Sequence, residues 1–574
     1  MHRLRSRDPR AWRSALLFLA MLVSLAAGLG MREPSPPDEP RFALAARDMV
    51  DSGQWLFPHR GRELYAEKPP VFMWLQAAAY WTLGDLKLAF LLPSLLAAFL
   101  TLLLTWDLAR RLWNPRVARH AAVALFVCLQ FGLQAKRGQI DMVLVAMTTL
   151  SLWALMRHLL QGPQWRMFWL GMFAAGLGTV TKGVGFLPVL VLVPWLFLHW
   201  QAQPCAGYMP AAAGDGWRWS AGLLAFIAGT GVWLLPMLVG VASSGDPSLQ
   251  HYASELLLRQ TGKRYADAWH HVQPAWYYLQ AMATLWLPGV LLLPWLLPAW
   301  WRRLRRGDPR LWLLLGWSAL VLLFFSASPG KREVYIFPML PVLCVAAAPL
   351  LPGLLRRAGV RRTLMGYLLV IALLACAASL SALAGWSGWA HELASQRGIH
   401  PAALQAFLLW LFGFGLVALV MMMWAQLQRV GSALVITTAA LWTVYGVGLA
   451  PAVDADSSAS ALMQRVATRI GPDAELGMVA WREQNLLQSD RPVADFGFKR
   501  DWQAQWTEAG PWLAADPGRR WVFVLDEALS ACVDADRVVA IGQSNRKHWL
   551  LVPGDAWNNG CMTPAAESEA SEGP

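Results

Sequence analysis

A succession of apolar runs constrains this chain more than any other feature. Each approaches the roughly 20 residues a helix needs to cross a bilayer core. The runs recur near 14–31, 88–108, 120–136, 142–160, 167–182, 184–200, 219–242, 275–298, 311–327, 334–354, 363–385, 404–426 and 432–452. Hydrocarbon offers backbone groups no water to bond, so segments of this kind cross it as helices. The first run follows a basic stretch and resembles a signal peptide, but with so many runs behind it we read it as an uncleaved span. The segment 71–84, VFMWLQAAAYWTLG, is too short to span and reads as an interfacial helix. The expected fold is therefore an all-α polytopic membrane protein of about thirteen transmembrane helices, with juxtamembrane helices on its outer side.

Composition agrees. Of 574 residues, 56% are hydrophobic and only 15% charged, against about 25% charged in soluble domains. Taken alone, the net charge of +13 suggests nucleic acid. Yet the arginines cluster in short loops, Arg3 to Arg13, Arg110 to Arg119, Arg302 to Arg310 and Arg356 to Arg362, as cytoplasmic loops require. No basic patch with interleaved aromatics occurs in a soluble segment, so nucleic acid is excluded as a partner. The 34 tryptophans gather at run ends, where interface belts account for them.

Placing the N-terminus inside puts these arginine-rich loops inside too. Asp38, Glu39, Arg41, Glu67, Lys68, Asp141, Lys182, Arg259, Lys331 and Arg332 then all fall at the outer face. Ionisable residues at membrane depth are costly and mark function by default. Residues 1–452 form the expected membrane domain, with outer loops at 32–87 and 243–274. Residues 453–574 lack apolar runs. ALMQRVATRIG reads as an amphipathic helix, and ELGMVAW, RRWVFVLD, DRVVAIG and HWLLVPG read as strands of a small outer α/β domain. PAAESEASEGP reads as a disordered tail. Cys128, Cys344 and Cys376 lie within spans and Cys205 in an inner loop. Cys532 and Cys561 lie in the outer domain, where an oxidising compartment would let them pair.

The loop PDEPRFALAARDMVDSGQWLFPHRGRELYAEKPP carries the richest chemistry. Asp38 is either an N-cap of the helix that follows or a carboxylate acting at the membrane surface; Glu39 beside it shares both readings. Asp141, in RGQIDM, is either half of a local ion pair or a second carboxylate of the same site. Lys68 sits in the rigid turn EKPP, Lys182 in TKG, Arg259 in LLLRQTG, and Lys331 and Arg332 in SPGKREVYIFPMLP. Singly each reads as a snorkelling cation; together they suit a phosphate or pyrophosphate. No GxxxxGK[ST], GxSxG, HExxH or CxxC pattern occurs, which removes support for P-loop nucleotide, serine-hydrolase, zinc-protease and structural-zinc chemistry. A secondary transporter remains an alternative class, but it would not call for the large outer loop, and no internal repeat is evident. A non-catalytic glycolipid-binding protein is a further alternative.

The motifs DEPRFALAARDMVDSGQWLFPH, LYAEKPPVFMWLQA, RGQIDM, TKG, HHVQPAWYY and KREVYIFPMLP occur in this order. The chain thereby resembles the lipid A aminoarabinose transferases, which stand with the protein mannosyltransferases in the membrane-embedded GT-C class of glycosyltransferases. The resemblance implies transfer of a sugar, 4-amino-4-deoxy-L-arabinose, from undecaprenyl phosphate to lipid A or another envelope acceptor. That transfer takes place at the periplasmic face of the bacterial inner membrane, with the C-terminal domain periplasmic. It implies catalytic roles for Asp38 and Asp141, with Glu39 adjacent. Lys68 and Arg259 would contact the donor phosphate, with Tyr335 and Lys331 bordering that pocket; Arg332 and Lys182 join them from the outer cluster of cations. Glu67 matches a carboxylate that contacts a divalent metal in family members. Leu256 stands where its histidine partner is expected, leaving His251 as the substitute. Phe42-Ala43-Leu44 also departs from the family by lacking an acid, which bears on acceptor recognition. A protein or another surface glycan is the alternative acceptor.

Overall fold

The computed structural model describes residues 9–200, 215–257, 272–558 and 561. Seven helices are long and apolar enough to cross a membrane: Leu86–Leu112, Ile140–Gln161, Gly216–Ser244, Pro309–Ala327, Ala358–Leu383, Pro401–Ala425 and Val430–Ala452. Two bent pairs bring this to nine among the described residues, Pro115–Val127 with Leu129–Ala135, and Tyr277–Leu285 with Gly289–Arg305. Their axes turn by 71° and 102°. Ser14–Ala26 and Leu187–Trp200 are shorter apolar helices. The expected run 334–354 is broken into Met339–Ala347 and Leu351–Leu354, preceded by turns.

Small residues bring the bundle together. The helix Trp165–Lys182 packs between Ile140–Gln161 and Gly216–Ser244. A Cβ on Gly176 would come within 2.1 Å of the Phe226 carbonyl oxygen, and one on Gly229 within 2.2 Å of the Phe173 carbonyl oxygen. Without the two glycines these helix backbones would have to separate. This seam fixes the C-terminal end of Trp165–Lys182, where Lys182 is the last residue.

The first loop is ordered. Pro40 opens the helix Glu39–Ser52, and Gly53 closes it at φ 72°, a left-handed geometry that glycine adopts without penalty. A short antiparallel hairpin follows, β1 (His59–Arg60) and β2 (Glu63–Leu64). The expected interfacial helix forms as Val71–Leu83. It buries Phe72 edge-on against Phe42, with ring centroids 5.3 Å apart, while Trp81 stays exposed.

The C-terminal region carries a five-stranded mixed sheet built from β3 (Glu475–Val479), β4 (Val493–Asp495), β5 (Arg520–Leu525), β6 (Val539–Ser544) and β7 (Lys547–Pro553). The strand order is β4-β3-β5-β7-β6, with β3 parallel to β4 and β5, and β7 antiparallel to β5 and β6. The amphipathic helix forms over Ser460–Ile470, and a second helix, Trp502–Ala515, packs on β3 and β5. Cys532 and Cys561 form a disulfide.

The first loop and this sheet share one apolar core. Ala43 and Leu44 are fully buried and cluster with Leu476, Met478, Phe496 and Val524. Leu44, at the position where the resemblance leads one to expect an acid, is thus a packing residue under the sheet.

Candidate active site

Asp38 precedes the helix Glu39–Ser52, but its side chain does not cap it. Instead it turns into a cluster of cations. One carboxylate oxygen pairs with Arg41, three residues on. The other accepts hydrogen bonds from Arg332 Nη2 at 3.1 Å and Gln139 Nε2 at 3.0 Å. Asp38 is 8% exposed. Burial pushes its carboxyl up, but the charges of Arg41, Arg332 and Lys182 outweigh this and hold it below the usual range.

Asp141 lies in the first turn of Ile140–Gln161 and pairs with Lys182, across from it on Trp165–Lys182. The Lys182 ammonium also lies over the Tyr335 ring, 5.2 Å from its centroid. Arg332 feels the charges of both Asp38 and Asp141, which joins the two carboxylates into one electrostatic unit.

Glu67 continues the network outward. Its oxygens face Arg41 at 3.3 Å and Arg60 at 3.2 Å. Burial raises its carboxyl, and Arg60 and Arg41 more than compensate, so it too lies below its ordinary value. Lys68 Nζ donates to the Glu67 carbonyl at 3.1 Å. Arg60 is itself buried. It pairs with Glu483 of the C-terminal region at 3.0 Å and stacks over the Phe498 ring at 3.7 Å.

Two expected site residues face elsewhere. Glu39 binds Arg32 through both oxygens, at 2.5 and 2.7 Å, and accepts from the Ser35 and Gly138 amides at 2.9 Å each. It clamps the loop to the turn after Leu129–Ala135 and lies apart from the cation cluster. The Lys331 ammonium donates to the carbonyls of Ser328 at 2.6 Å and Gln273 at 3.0 Å, holding the 328–338 turn against the segment before Tyr277–Leu285. Its neighbour Arg332 is the one that reaches Asp38.

The metal expectation does not fit the residues present. Both Glu67 oxygens are held by guanidinium groups, so a cation there would face two positive charges. His251 is exposed on Pro247–Ser254, and Leu256 is buried in apolar surroundings. Among the described residues no group of three or more His, Cys, Asp or Glu is arranged to hold a metal ion. Arg259 lies outside the described residues, as do Cys205 and the HH of HHVQPAWYY.

Sequence reasoning assigned no site role to Gln139, Arg60 or Glu483, and counted Arg41 among the outer-face charges without giving it a partner. Gln139 lay inside a quoted motif. Nothing in the sequence links Arg60 to Glu483, 423 residues away.

Comparisons with known proteins fit this architecture. Residues 67–212 match the dolichyl-phosphate-mannose-protein mannosyltransferase family, and residues 267–408 the Alg9-like mannosyltransferase family. The crystal structure of ArnT from Cupriavidus metallidurans bound to undecaprenyl phosphate superposes with a TM-score of 0.74 at 21% identity, covering 95% of this chain and 98% of that one. The fold is that of the membrane-embedded GT-C glycosyltransferases. Among curated relatives, undecaprenyl phosphate-alpha-4-amino-4-deoxy-L-arabinose arabinosyl transferase 2 of Sodalis glossinidius is 32% identical over 71% of this chain and 72% of its own length. The Edwardsiella ictaluri enzyme of the same name, without the numeral, is 31% identical over 66% of this chain and 67% of its own. The chain belongs to this arabinosyl transferase family.

Proposed function

We propose that the protein moves 4-amino-4-deoxy-L-arabinose from an undecaprenyl-phosphate donor to lipid A at the periplasmic face of the inner membrane. The observation that carries the reading is the Asp38 carboxylate, held among Arg41, Arg332 and Gln139 beside the Asp141–Lys182 pair. Cations suit the donor phosphate, and an ionised carboxylate suits the ammonium of an amino sugar. Lys68, Lys182 and Arg332, with Arg259, take the phosphate; Tyr335 borders it. Family membership supports the donor, and the arginine-rich loops support a cytoplasmic N-terminus. Residues 1–452 are then the membrane domain and 453–574 the periplasmic one.

The transfer is a single displacement. An acceptor phosphate oxygen forms a bond to the anomeric carbon as the bond from that carbon to the donor phosphate breaks. The bonding electrons leave with undecaprenyl phosphate, and the configuration inverts. A phosphate acceptor is already ionised and requires no base. Asp38, held below the ordinary carboxylate range, is a poor base in any case. Its role is to orient the sugar, and the surrounding cations stabilise the departing phosphate.

Mass spectrometry of lipid A from cells with and without the gene, grown under envelope stress, tests the proposal. Loss of the aminopentose mass without the gene, restored by wild type and not by Lys68→Ala, is the expected result. Unchanged lipid A with the protein expressed would sink that acceptor. The match of residues 67–212 to a protein mannosyltransferase family makes a protein acceptor the next candidate.

A further inference from the structure

Charges alternate along an unbroken path from the site into the C-terminal sheet. Asp38 pairs with Arg41, Arg41 with Glu67, Glu67 with Arg60, and Arg60 with Glu483. The two ends belong to different parts of the chain, the first outer loop and the short helix Glu483–Leu487 after β3. The far end of the path is the more buried: the Arg60 side chain is 5% exposed and that of Glu483 14%, against 24% for Arg41 and 28% for Glu67. Aromatic rings pack on Arg60, Phe498 at 3.7 Å and Tyr65 at 5.4 Å, so the guanidinium cannot swing toward water. A buried pair with few escape routes has a defined geometry.

Arg41 has two carboxylate acceptors, Asp38 and Glu67, besides the Pro37 carbonyl at 3.5 Å, and its position between the carboxylates depends on how firmly Glu67 is held. Glu67 is held from behind by Arg60, and Arg60 by Glu483. We propose that Arg60 and Glu483 are positioning residues for the transfer step, setting the placement of Arg41 and through it that of Asp38. The C-terminal sheet then acts as the outer wall of the site. The inference rests on the transferase reading above and adds residues to it. A second contact in the same hairpin offers an internal comparison. Arg62 Nη1 donates to the Asp495 carbonyl at 2.9 Å and faces Glu508 at 3.2 Å, joining the same two parts of the chain outside the charge path.

The experiment uses the full-length protein in detergent, with synthetic undecaprenyl-phosphate aminoarabinose as donor and lipid A as acceptor. Glu483→Gln keeps the shape and removes the charge. Its kcat is expected to fall about tenfold, since small misplacements of reacting groups carry losses of that order or larger. KM for the donor should stay within about twofold, because no donor contact is removed. Glu483→Asp should recover part of kcat, and Arg62→Ala should keep wild-type kcat. Hydrogen exchange read by mass spectrometry supplies a second measure independent of turnover. Exchange in residues 37–42 should rise in Glu483→Gln and stay at the wild-type level in Arg62→Ala. Wild-type kcat in a folded Glu483→Gln, an equal loss in Arg62→Ala, or unchanged exchange at 37–42 would each overturn the proposal. If the wild type transfers no sugar while exchange at 37–42 still responds to Glu483→Gln, the assigned activity is wrong and the coupling stands.

Discussion

Replacing Glu39 by alanine removes one half of a buried ion pair and leaves the other half in place. The Arg32 side chain is 9% exposed and that of Glu39 5%. Stranding a buried charge in this way destabilises by about 3–5 kcal/mol. Arg32 keeps two other acceptors, the Glu33 carbonyl at 3.0 Å and the Lys136 carbonyl at 2.9 Å, which places the effect near the lower end of that range. The loss is local, because the Ser35 and Gly138 amides also lose their acceptor. About 3 kcal/mol is roughly a hundredfold in an equilibrium constant. Exchange at these two amides, followed by mass spectrometry, should accelerate by about that factor, and the protein should melt earlier in detergent. Glu39→Leu combined with Arg32→Met replaces the pair with apolar groups and should recover most of the melting temperature. A Glu39→Ala protein that melts and exchanges like wild type would refute the clamp. So would a Glu39→Gln protein that melts normally yet has lost turnover, since that would return Glu39 to the catalytic role its sequence neighbourhood suggests.

Three further outcomes follow from the same geometry. Asp38→Asn keeps shape and discards charge, so turnover should fall by about a hundredfold or more while undecaprenyl phosphate still binds, as measured by turnover and thermal shift. Burial and the neighbouring Glu33 carboxylate push Asp454 up to about 6, above its unfolded value near 3.9. Between those values the folded state holds the extra proton, so stability falls as pH rises from about 4 to 6 and stays lower above; Asp454→Asn should flatten melting temperature against pH in that window. Reducing the Cys532–Cys561 bridge opens a loop with a sequence separation of 29, and should destabilise the C-terminal sheet by about 3–4 kcal/mol, read as faster exchange in β5 and β7.

The membrane character, the interfacial helix Val71–Leu83 and four of the five C-terminal strands were legible because each depends on local pattern, an apolar run or an alternation. Only the short β4, Val493–Asp495, escaped that reading. Helix bends were not legible. The run at 120–136 reads as one span, yet the chain turns by 71° after Val127. The site itself was half legible. Asp38, Asp141, Lys182 and Arg332 meet as the clustering of outer charges suggested. Their sequence neighbours divide by direction rather than by type. Asp38 faces the cations while Glu39 faces inward, and Arg332 reaches Asp38 while Lys331 is held by carbonyls. Direction depends on tertiary packing, which a list of charged residues does not contain.

The distance in sequence between Arg60 and Glu483 has a consequence for biogenesis. The two are 423 residues apart, so at about 5–20 residues per second a ribosome needs roughly 20–85 s to go from one to the other. Throughout that interval the nascent first loop holds Arg60 without its carboxylate partner from the C-terminal region and Ala43 and Leu44 without their cover. Assembly of this region is therefore a late event, completed after the last apolar helix has been made, and an interrupted chain presents a loop with exposed apolar residues to the quality-control machinery of the membrane.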